Sequence, residues 1–173
     1  MIVACSPRSW LAPAATAPPQ PADRVGSGLQ VYFTDPQDPR AGDYSGGQDE
    51  ALAAAIDRAR LSVDAAVYSL NLWSVRNTLL RDRRRRVDVC MVMESDNMDS
   101  AEVQDLIAGG VLVLGDRHEG LMHDKFIIIV FAEVWSRSMN FTVGGAYKDN
   151  NDLFAFTRRR PPRTLPPVSR RCT

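Results

Sequence analysis

The chain has 173 residues, of which 45% are hydrophobic and 24% are charged, a length and composition that suit one globular domain with a substantial core. No apolar run reaches the roughly 18–20 residues that a membrane-spanning helix needs. The net charge is zero, but residues 29–157 carry 13 Lys/Arg against 20 Asp/Glu, a net charge of −7 that argues against strong sequence-independent binding of nucleic acid.

The first 28 residues predict a Pro/Ala-rich leader and linker, because this composition cannot bury a core. Within them, Ile2-Val3-Ala4-Cys5 resembles a bacterial lipobox, whose cysteine is lipidated after signal cleavage. A complete signal would place about 7–15 apolar residues before that cysteine, whereas four residues precede Cys5. Two interpretations stay open. Lipidation of Cys5 would place the protein in the bacterial cell envelope or outside the cytoplasm, and a chance match would leave it cytoplasmic.

From Leu29 onward, strand and helix patterns alternate. The predicted strands are Leu29–Phe33, Ser62–Tyr68, Val87–Met93 and Val111–Leu114. The predicted helices begin at Asp49, after Asn71 as N-cap, and after Ser100, and the third ends at Gly109-Gly110. This alternation predicts an α/β fold in residues 29–157, with a mixed, largely parallel sheet flanked by helices on both faces.

Two features in this half have plain structural interpretations. The four arginines Arg83–Arg86 stand at a predicted helix C-terminus, where cations favour the helix dipole, although a nucleic-acid contact is the alternative. Cys90 lies in an apolar strand pattern and is expected to be a buried free thiol.

The residues that carry chemistry follow Leu121. The apolar run after His123 and Lys125 predicts a central strand that places both side chains on one face. Ser138 and Asn140 repeat the same two-residue spacing in the next segment. A hairpin with a two-residue turn at Phe131-Ala132 would pair His123 with Asn140 and Lys125 with Ser138.

Such a patch suits a tetrahedral anion. An imidazole acts as a nucleophile or general acid/base near neutral pH, lysine adds a cation, and the amide and hydroxyl add neutral donors. No carboxylate pair or His/Cys cluster accompanies these residues, so we do not expect a metal site.

These motifs resemble those of the phospholipase D (HKD) superfamily. His123-Asp124-Lys125 is similar to the start of the H-x-K-x4-D motif, and Ser136–Thr142 is similar to the downstream G-S-x-N-F-T element. The weaker likeness extends over roughly 70% of the chain, from Val31 to about Phe154. The motif occurs once, as in small bacterial endonucleases and lipid hydrolases of this family that dimerise to bring two histidines together.

The resemblance implies a reaction in a homodimer that needs no metal and no organic cofactor. His123 of one chain would attack phosphorus and form a phosphohistidine, and His123 of the partner subunit would protonate the leaving oxygen and then activate water. Lys125 and Asn140 would hold the non-bridging oxygens, with Ser138 assisting. The substrate would be a phosphodiester, either nucleic acid or phospholipid, and membrane association would require lipidation of Cys5.

The chain departs from the family pattern at three positions of the motif region. Val130 stands at the position of the motif's acid, and Arg137 stands where glycine usually precedes the serine. The acid that orients the histidine aligns with Asn151, although Asp152 is adjacent. The Arg/Pro-rich tail, residues 158–173, predicts a disordered segment in place of the family's closing helix. The C-terminus is therefore atypical or truncated.

Three functions remain open at this stage. The first is an active phosphodiesterase of nuclease or phospholipase D type, and the second is a degenerate member that binds phosphodiesters without efficient turnover. The third is an interaction domain in which the motif residues are incidental.

Overall fold

The computed structural model describes residues 23–25, 28–117, 119–130 and 133–157. The expectations for Cys5, for most of the leader and for the tail at 158–173 lie outside these residues. Asp23–Val25, which the sequence assigned to the linker, forms a short strand beside the domain. No helix in the described ranges is long and apolar enough to cross a membrane.

One mixed sheet organises the fold. Its strand order is β1-β2-β8-β7-β6-β3-β4-β5. Parallel pairing joins β3, β4 and β5, and all other neighbours are antiparallel. The strands are β1 Asp23–Val25, β2 Leu29–Phe33, β3 Ser62–Val67, β4 Asp88–Met93, β5 Leu112–Gly115, β6 Lys125–Ile129, β7 Glu133–Arg137 and β8 Asp152–Thr157.

Three helices form one layer against the sheet. They are α1 Gln48–Asp57, α2 Trp73–Arg84 and α3 Ala101–Ala108, and α2 contacts both of its neighbours. A short helix, α4 Val143–Tyr147, follows β7. Because β3, β4 and β5 are parallel neighbours, the crossovers through α2 and α3 have to lie on the same face of the sheet.

The helical layer covers the face of the sheet that carries the core. Val63, Ala65 and Val67 of β3 are buried on this face, whereas Asp64 and Ala66 between them are half-buried. The same alternation continues through β6 and β7, where Ile127 pairs with Trp135. Successive side chains of a strand point to opposite faces, so this burial pattern fixes which side chains face the helices.

The predicted mixed α/β fold with flanking helices is confirmed. The prediction of a largely parallel sheet is wrong, because only the β3–β4 and β4–β5 pairings are parallel among the described strands and the other five are antiparallel. Element boundaries differ by one or two residues from those predicted. Asn71 is not an N-cap: Leu72 occupies that position, and Asn71 Oδ1 instead accepts a hydrogen bond from the backbone N–H of Val143 at 2.9 Å. Helix α3 is followed by Gly109 and Gly110, as predicted. Gly110 has a φ of +82°, a conformation that favours glycine.

Two of the four arginines at the C-terminus of α2 form side-chain hydrogen bonds within the described part of the protein. Arg83 donates to the carbonyl oxygen of Gly110, and Arg85 donates to the carbonyl oxygen of Asp57 and to the Asp82 carboxylate. These contacts join the C-terminus of α2 to its neighbours.

Cys90 differs from the expectation. It is disulfide-bonded and half-buried, so the prediction of a buried free thiol is wrong. The apolar run of β4 indicated burial on both faces, but the core side is formed by Val89, Met91 and Met93. Cys90 points to the other, more exposed side.

Candidate functional site

The predicted site residues gather at one edge of the sheet. β3 and β4 end there at Val67 and Met93, and β6, which is antiparallel to β3, begins there at Lys125. β7 ends at the same edge with Arg137, and β8 begins there with Asp152. Strand direction alone therefore brings residues from five strands to one edge.

His123 lies in the loop before β6 and not within the strand. Its side chain is exposed, and its ring stands edge-on to the ring of Tyr68, with centroids 5.0 Å apart and an interplanar angle of 67°. The backbone supports this contact, because the Tyr68 N–H donates to the carbonyl oxygen of Asp124 at 2.8 Å. The imidazole is thus held against the end of β3 and stays open to solvent.

Lys125 is the buried cation of this edge. Its side chain is 9% exposed, Nζ donates to the backbone carbonyl of His123 at 2.8 Å, and Nζ lies 5.5 Å from the centroid of the Tyr68 ring. Burial lowers the pKa of Lys125, the carboxylate of Asp124 raises it, and the cation of Arg137 lowers it further. The ammonium group therefore has a fixed position beside His123.

Ser138 is held by Asp152, the first residue of β8, and by Asn151, the residue before it. Ser138 Oγ donates to Asn151 Oδ1 at 3.1 Å and accepts from the backbone N–H of Asp152 at 3.1 Å. The Ser138 N–H donates in turn to Asp152 Oδ1 at 3.1 Å. Asn151 also donates through Nδ2 to the carbonyl oxygen of Gly145 at 3.1 Å. The described contacts of Asn151 and Asp152 thus position the serine.

Asn140 follows in the connection between β7 and α4. Its side chain is half-buried, and Oδ1 is buried with no hydrogen-bond partner among the described residues. The next residue fixes this segment, because the Phe141 carbonyl accepts from the backbone N–H groups of Asn71 and Leu72. Asn140 is thereby attached to the connection that leaves the end of β3.

The pairing of β6 with β7 differs from the predicted hairpin. Phe126 pairs with Ser136 and Ile129 with Glu133, so the connecting loop has three residues, 130–132. The predicted two-residue turn and the pairs His123–Asn140 and Lys125–Ser138 are therefore wrong by one position. The observed alternation places Arg137, and not Ser138, on the buried face that carries Lys125.

The sequence interpretation missed two residues of this edge. Tyr68 directly follows β3, and Glu94 directly follows β4. Glu94 is 4% exposed, and its Oε2 accepts from the backbone N–H of Met122 at 2.7 Å, which fixes the loop that carries His123. Their positions in the sequence could have identified them. Both are polar residues that directly follow neighbouring parallel strands, and such residues lie together at one edge of the sheet.

A cavity of about 310 Å³ adjoins this edge. Thr34, Arg40, Gln48 and Tyr147 contribute to its wall. The backbone N–H of Thr34 donates to the carbonyl oxygen of Asn151 at 3.0 Å, which connects the cavity to the residues around Ser138. Within the described ranges, no group of three or more His, Cys, Asp and Glu side chains is arranged to hold a metal ion.

Comparison with known proteins agrees with this geometry. Residues 52–162 match the family model described as cardiolipin synthase, PLD-like domain. Mitochondrial cardiolipin hydrolase of Xenopus laevis is 30% identical over 101 residues, which are 57% of this chain and 48% of that protein. The corresponding Xenopus tropicalis protein is 30% identical over 104 residues, 59% of this chain and 50% of that protein. The chain thus spans about half the length of these relatives.

Solved structures share the fold. The phospholipase D family member Nuc of Salmonella typhimurium has a TM-score of 0.59 and 21% identity, over 75% of this chain and 82% of that chain. NucT of Helicobacter pylori has a TM-score of 0.56 and 16% identity, over 73% and 84% of the two chains. At these identities, the likeness shows the fold alone.

Proposed function

We propose that this chain, which belongs to the phospholipase D-like family, is a metal-independent phosphodiester hydrolase that acts through a phosphohistidine. In this proposal, two copies of the chain complete the active site. The observation that carries it is the placement of His123, whose exposed imidazole stands against Tyr68 while the backbone carbonyl of the same residue binds the buried ammonium of Lys125.

The first chemical step is attack of an imidazole nitrogen of His123 on phosphorus. The bond from phosphorus to the leaving oxygen breaks, and His123 of the partner subunit protonates that oxygen. In the second step, water loses a proton to His123 of the partner subunit and attacks the phosphohistidine. The P–N bond breaks, a phosphomonoester leaves, and the first histidine is restored.

Charge stabilisation in this mechanism comes from the fixed donors at the edge. Lys125 supplies a buried cation, whose interaction with a non-bridging oxygen is stronger in a low-dielectric site than in water. Asn140 supplies an amide. Ser138, which does not share the buried face of Lys125, would assist with a hydroxyl held by Asn151. These groups suit a tetrahedral phosphoryl centre that gains negative charge in the transition state.

The alternative is a degenerate member that binds phosphodiesters without efficient turnover. It is favoured by Asn151, whose amide stabilises an imidazolium less well than a carboxylate does. It is also favoured by Val130, which is 9% exposed at the position of the motif's acid. The two functions differ in whether His123 becomes phosphorylated.

The natural substrate is proposed as a phosphodiester of nucleic acid or phospholipid. Cardiolipin hydrolases are the curated relatives of this chain, and Nuc and NucT are structural relatives. The acidic body of the chain disfavours nucleic acid, and a phospholipid substrate would be within reach of a protein lipidated at Cys5.

The test is hydrolysis of bis(p-nitrophenyl) phosphate in excess EDTA by the wild type, His123→Ala and His118→Ala. His118 is the other histidine of the chain, so its variant controls for the loss of any imidazole. We expect release of p-nitrophenol from the wild type and the control, and a loss of at least about 100-fold in His123→Ala. A folded wild type without release in EDTA would contradict the proposed hydrolase.

The shared active site has its own test. Sedimentation of the purified chain should give a dimer, and titration of the wild type with excess His123→Ala should form mixed dimers that contain one histidine each. Because both histidines act in each turnover, activity should fall as mixed dimers form. Retention of full activity per wild-type chain would contradict a site built from two copies.

A further inference from the structure

Arg137 is the last residue of β7 and stands at the site edge. The G-S-x-N-F-T element that this segment resembles has glycine at the same position, so the arginine is a departure from that element. Phe126 pairs with Ser136, which places Arg137 level with Lys125 on the neighbouring strand. Both side chains lie on the buried face of the sheet.

The guanidinium of Arg137 is buried without a hydrogen-bond acceptor. The residue is 6% exposed, and Nε, Nη1 and Nη2 all lack a partner among the described residues. Its central carbon lies 3.1 Å from the centroid of the Phe141 ring, so the aromatic face supports the cation. A ring face does not replace the hydrogen bonds that a guanidinium forms in water, so burial of this group is costly.

The acidic group that acts on Arg137 is Asp49 of α1. Burial lowers the pKa of Arg137, and the negative charge of Asp49 raises it. The two residues form no ion pair within 4 Å in the described structure, and Asp49 Oδ2 accepts from Ser74 Oγ at 2.5 Å. Two buried cations, Lys125 and Arg137, therefore lie side by side without a direct carboxylate partner among the described residues.

We infer that Arg137 is a second cation of the phosphate-binding site, held over Phe141 to attract a phosphoryl oxygen at the end of β7. This inference rests on the proposed function and adds a residue that the family motif lacks. A guanidinium beside an ammonium suits a phosphoryl group, because the guanidinium donors match two of its oxygens at once. Arg137 would then strengthen binding of the phosphate group, and the chemistry would remain with His123.

A merely structural role gives the opposite expectation for stability. If Arg137 served the fold, its replacement by methionine would lower stability, because Met is unbranched and apolar like the arginine stem but lacks the guanidinium group. If the charge is held for a ligand, removing it relieves the cost of burying an unpaired cation. Arg137→Met should then unfold at the same or a higher temperature than the wild type while binding phosphate more weakly.

The experiment measures binding of inorganic phosphate by calorimetry, together with thermal unfolding in phosphate-free buffer. The proteins are the wild type, Arg137→Met, Arg137→Lys and the control Arg81→Met. Arg81 lies near the C-terminus of α2, at the opposite edge of the sheet, where it pairs with Asp57. We expect phosphate affinity to fall about 10-fold in Arg137→Met, to recover in part in Arg137→Lys, and to stay unchanged in Arg81→Met.

The outcomes separate this inference from the proposed function. Equal phosphate affinity in Arg137→Met and the wild type would overturn it, even if His123-dependent hydrolysis is observed. Weaker binding with a clearly lower unfolding temperature in Arg137→Met would also overturn it, in favour of a structural role. No phosphate binding by any variant, including the wild type, would overturn both the inference and the proposed phosphate site.

Discussion

Ser138 Oγ donates a hydrogen bond to Asn151 Oδ1 across the edge between β7 and β8, at 3.1 Å. The same hydroxyl accepts from the backbone N–H of Asp152, so its proton is directed to the amide. The residue aligned with the family's histidine-orienting acid therefore contacts the serine of the proposed phosphate site.

The first prediction concerns this pair. Ser138→Ala and Asn151→Ala should each lower the unfolding free energy by about 0.5–1.5 kcal/mol, the usual net contribution of one hydrogen bond. The double variant should lose less stability than the sum of the two single losses, because each single change already removes the same hydrogen bond. The difference, which is the coupling energy, should be about 0.5–1 kcal/mol. Urea unfolding of the four proteins measures this coupling, and additive losses would show that the two side chains do not interact. Asn150→Ala, an exposed neighbour, is the control.

The second prediction concerns Lys125, whose pKa lies below its ordinary value near 10.5 because of burial, while Asp124 raises it and Arg137 lowers it. The ammonium loses its proton as pH rises through this lowered pKa, so phosphate affinity should begin to fall below pH 10.5. Removing the negative charge in Asp124→Asn should move this fall to lower pH. Calorimetric titration with phosphate between about pH 7 and pH 10.5 provides the measurement.

The matched control for this pH profile is Asp149→Asn, an exposed acid that is not among the groups acting on Lys125. It should leave the position of the alkaline fall unchanged. A profile that shifts equally in both variants would indicate a general effect of net charge, and the assignment to Lys125 would then be abandoned.

The third prediction tests the register of the β6–β7 hairpin. Trp135 is 2% exposed, pairs with Ile127 and stacks on Tyr32 with centroids 5.7 Å apart, whereas Val134 is 39% exposed. Trp135→Ala should lower the unfolding free energy by about 3–5 kcal/mol, as large core truncations do. Val134→Ala should cost less than about 1 kcal/mol, because its side chain is partly in solvent. The reverse order, measured by chemical unfolding, would support the one-residue slip expected from sequence.

The fourth prediction concerns the buried carboxyl of Asp82. Burial is the largest cause that raises its pKa, and the hydrogen bond from Arg85 lowers it in part. The folded state therefore holds this proton to higher pH than the unfolded chain, whose Asp82 titrates near 3.8. The contribution of Asp82 to the unfolding free energy should therefore fall as pH rises from about 3.8 to the raised pKa. The total fall is about 1.4 kcal/mol for each pH unit between the folded and unfolded pKa values.

Asp82→Asn lacks this titration, so its unfolding free energy relative to the wild type should increase with pH across that window. The exposed carboxylate of Asp105, which pairs with Arg76, gives the control variant Asp105→Asn. Urea unfolding at several pH values between about 4 and 8 makes the comparison. A constant difference between Asp82→Asn and the wild type would contradict a raised pKa.

The sequence alone determined the elements and the place of the candidate site. Periodicity identified the strands from β2 to β7 and the helices α1, α2 and α3, because alternation and helical spacing are local properties of the chain. The short helix α4 was not predicted. The motif spacing of His123, Lys125, Ser138 and Asn140 located the site at the ends of β6 and β7. Their catalytic roles stay predictions.

The tertiary structure decided which side chains share a face and which are buried. The length of the loop after β6 and the burial of Trp135 set a register one residue away from the predicted one, and a shift of one residue reverses the faces. That register buries Arg137 beside Lys125, and the junction of β3 with the loop at His123 brings in Tyr68. These contacts join residues far apart in sequence, so local patterns carry no signal for them.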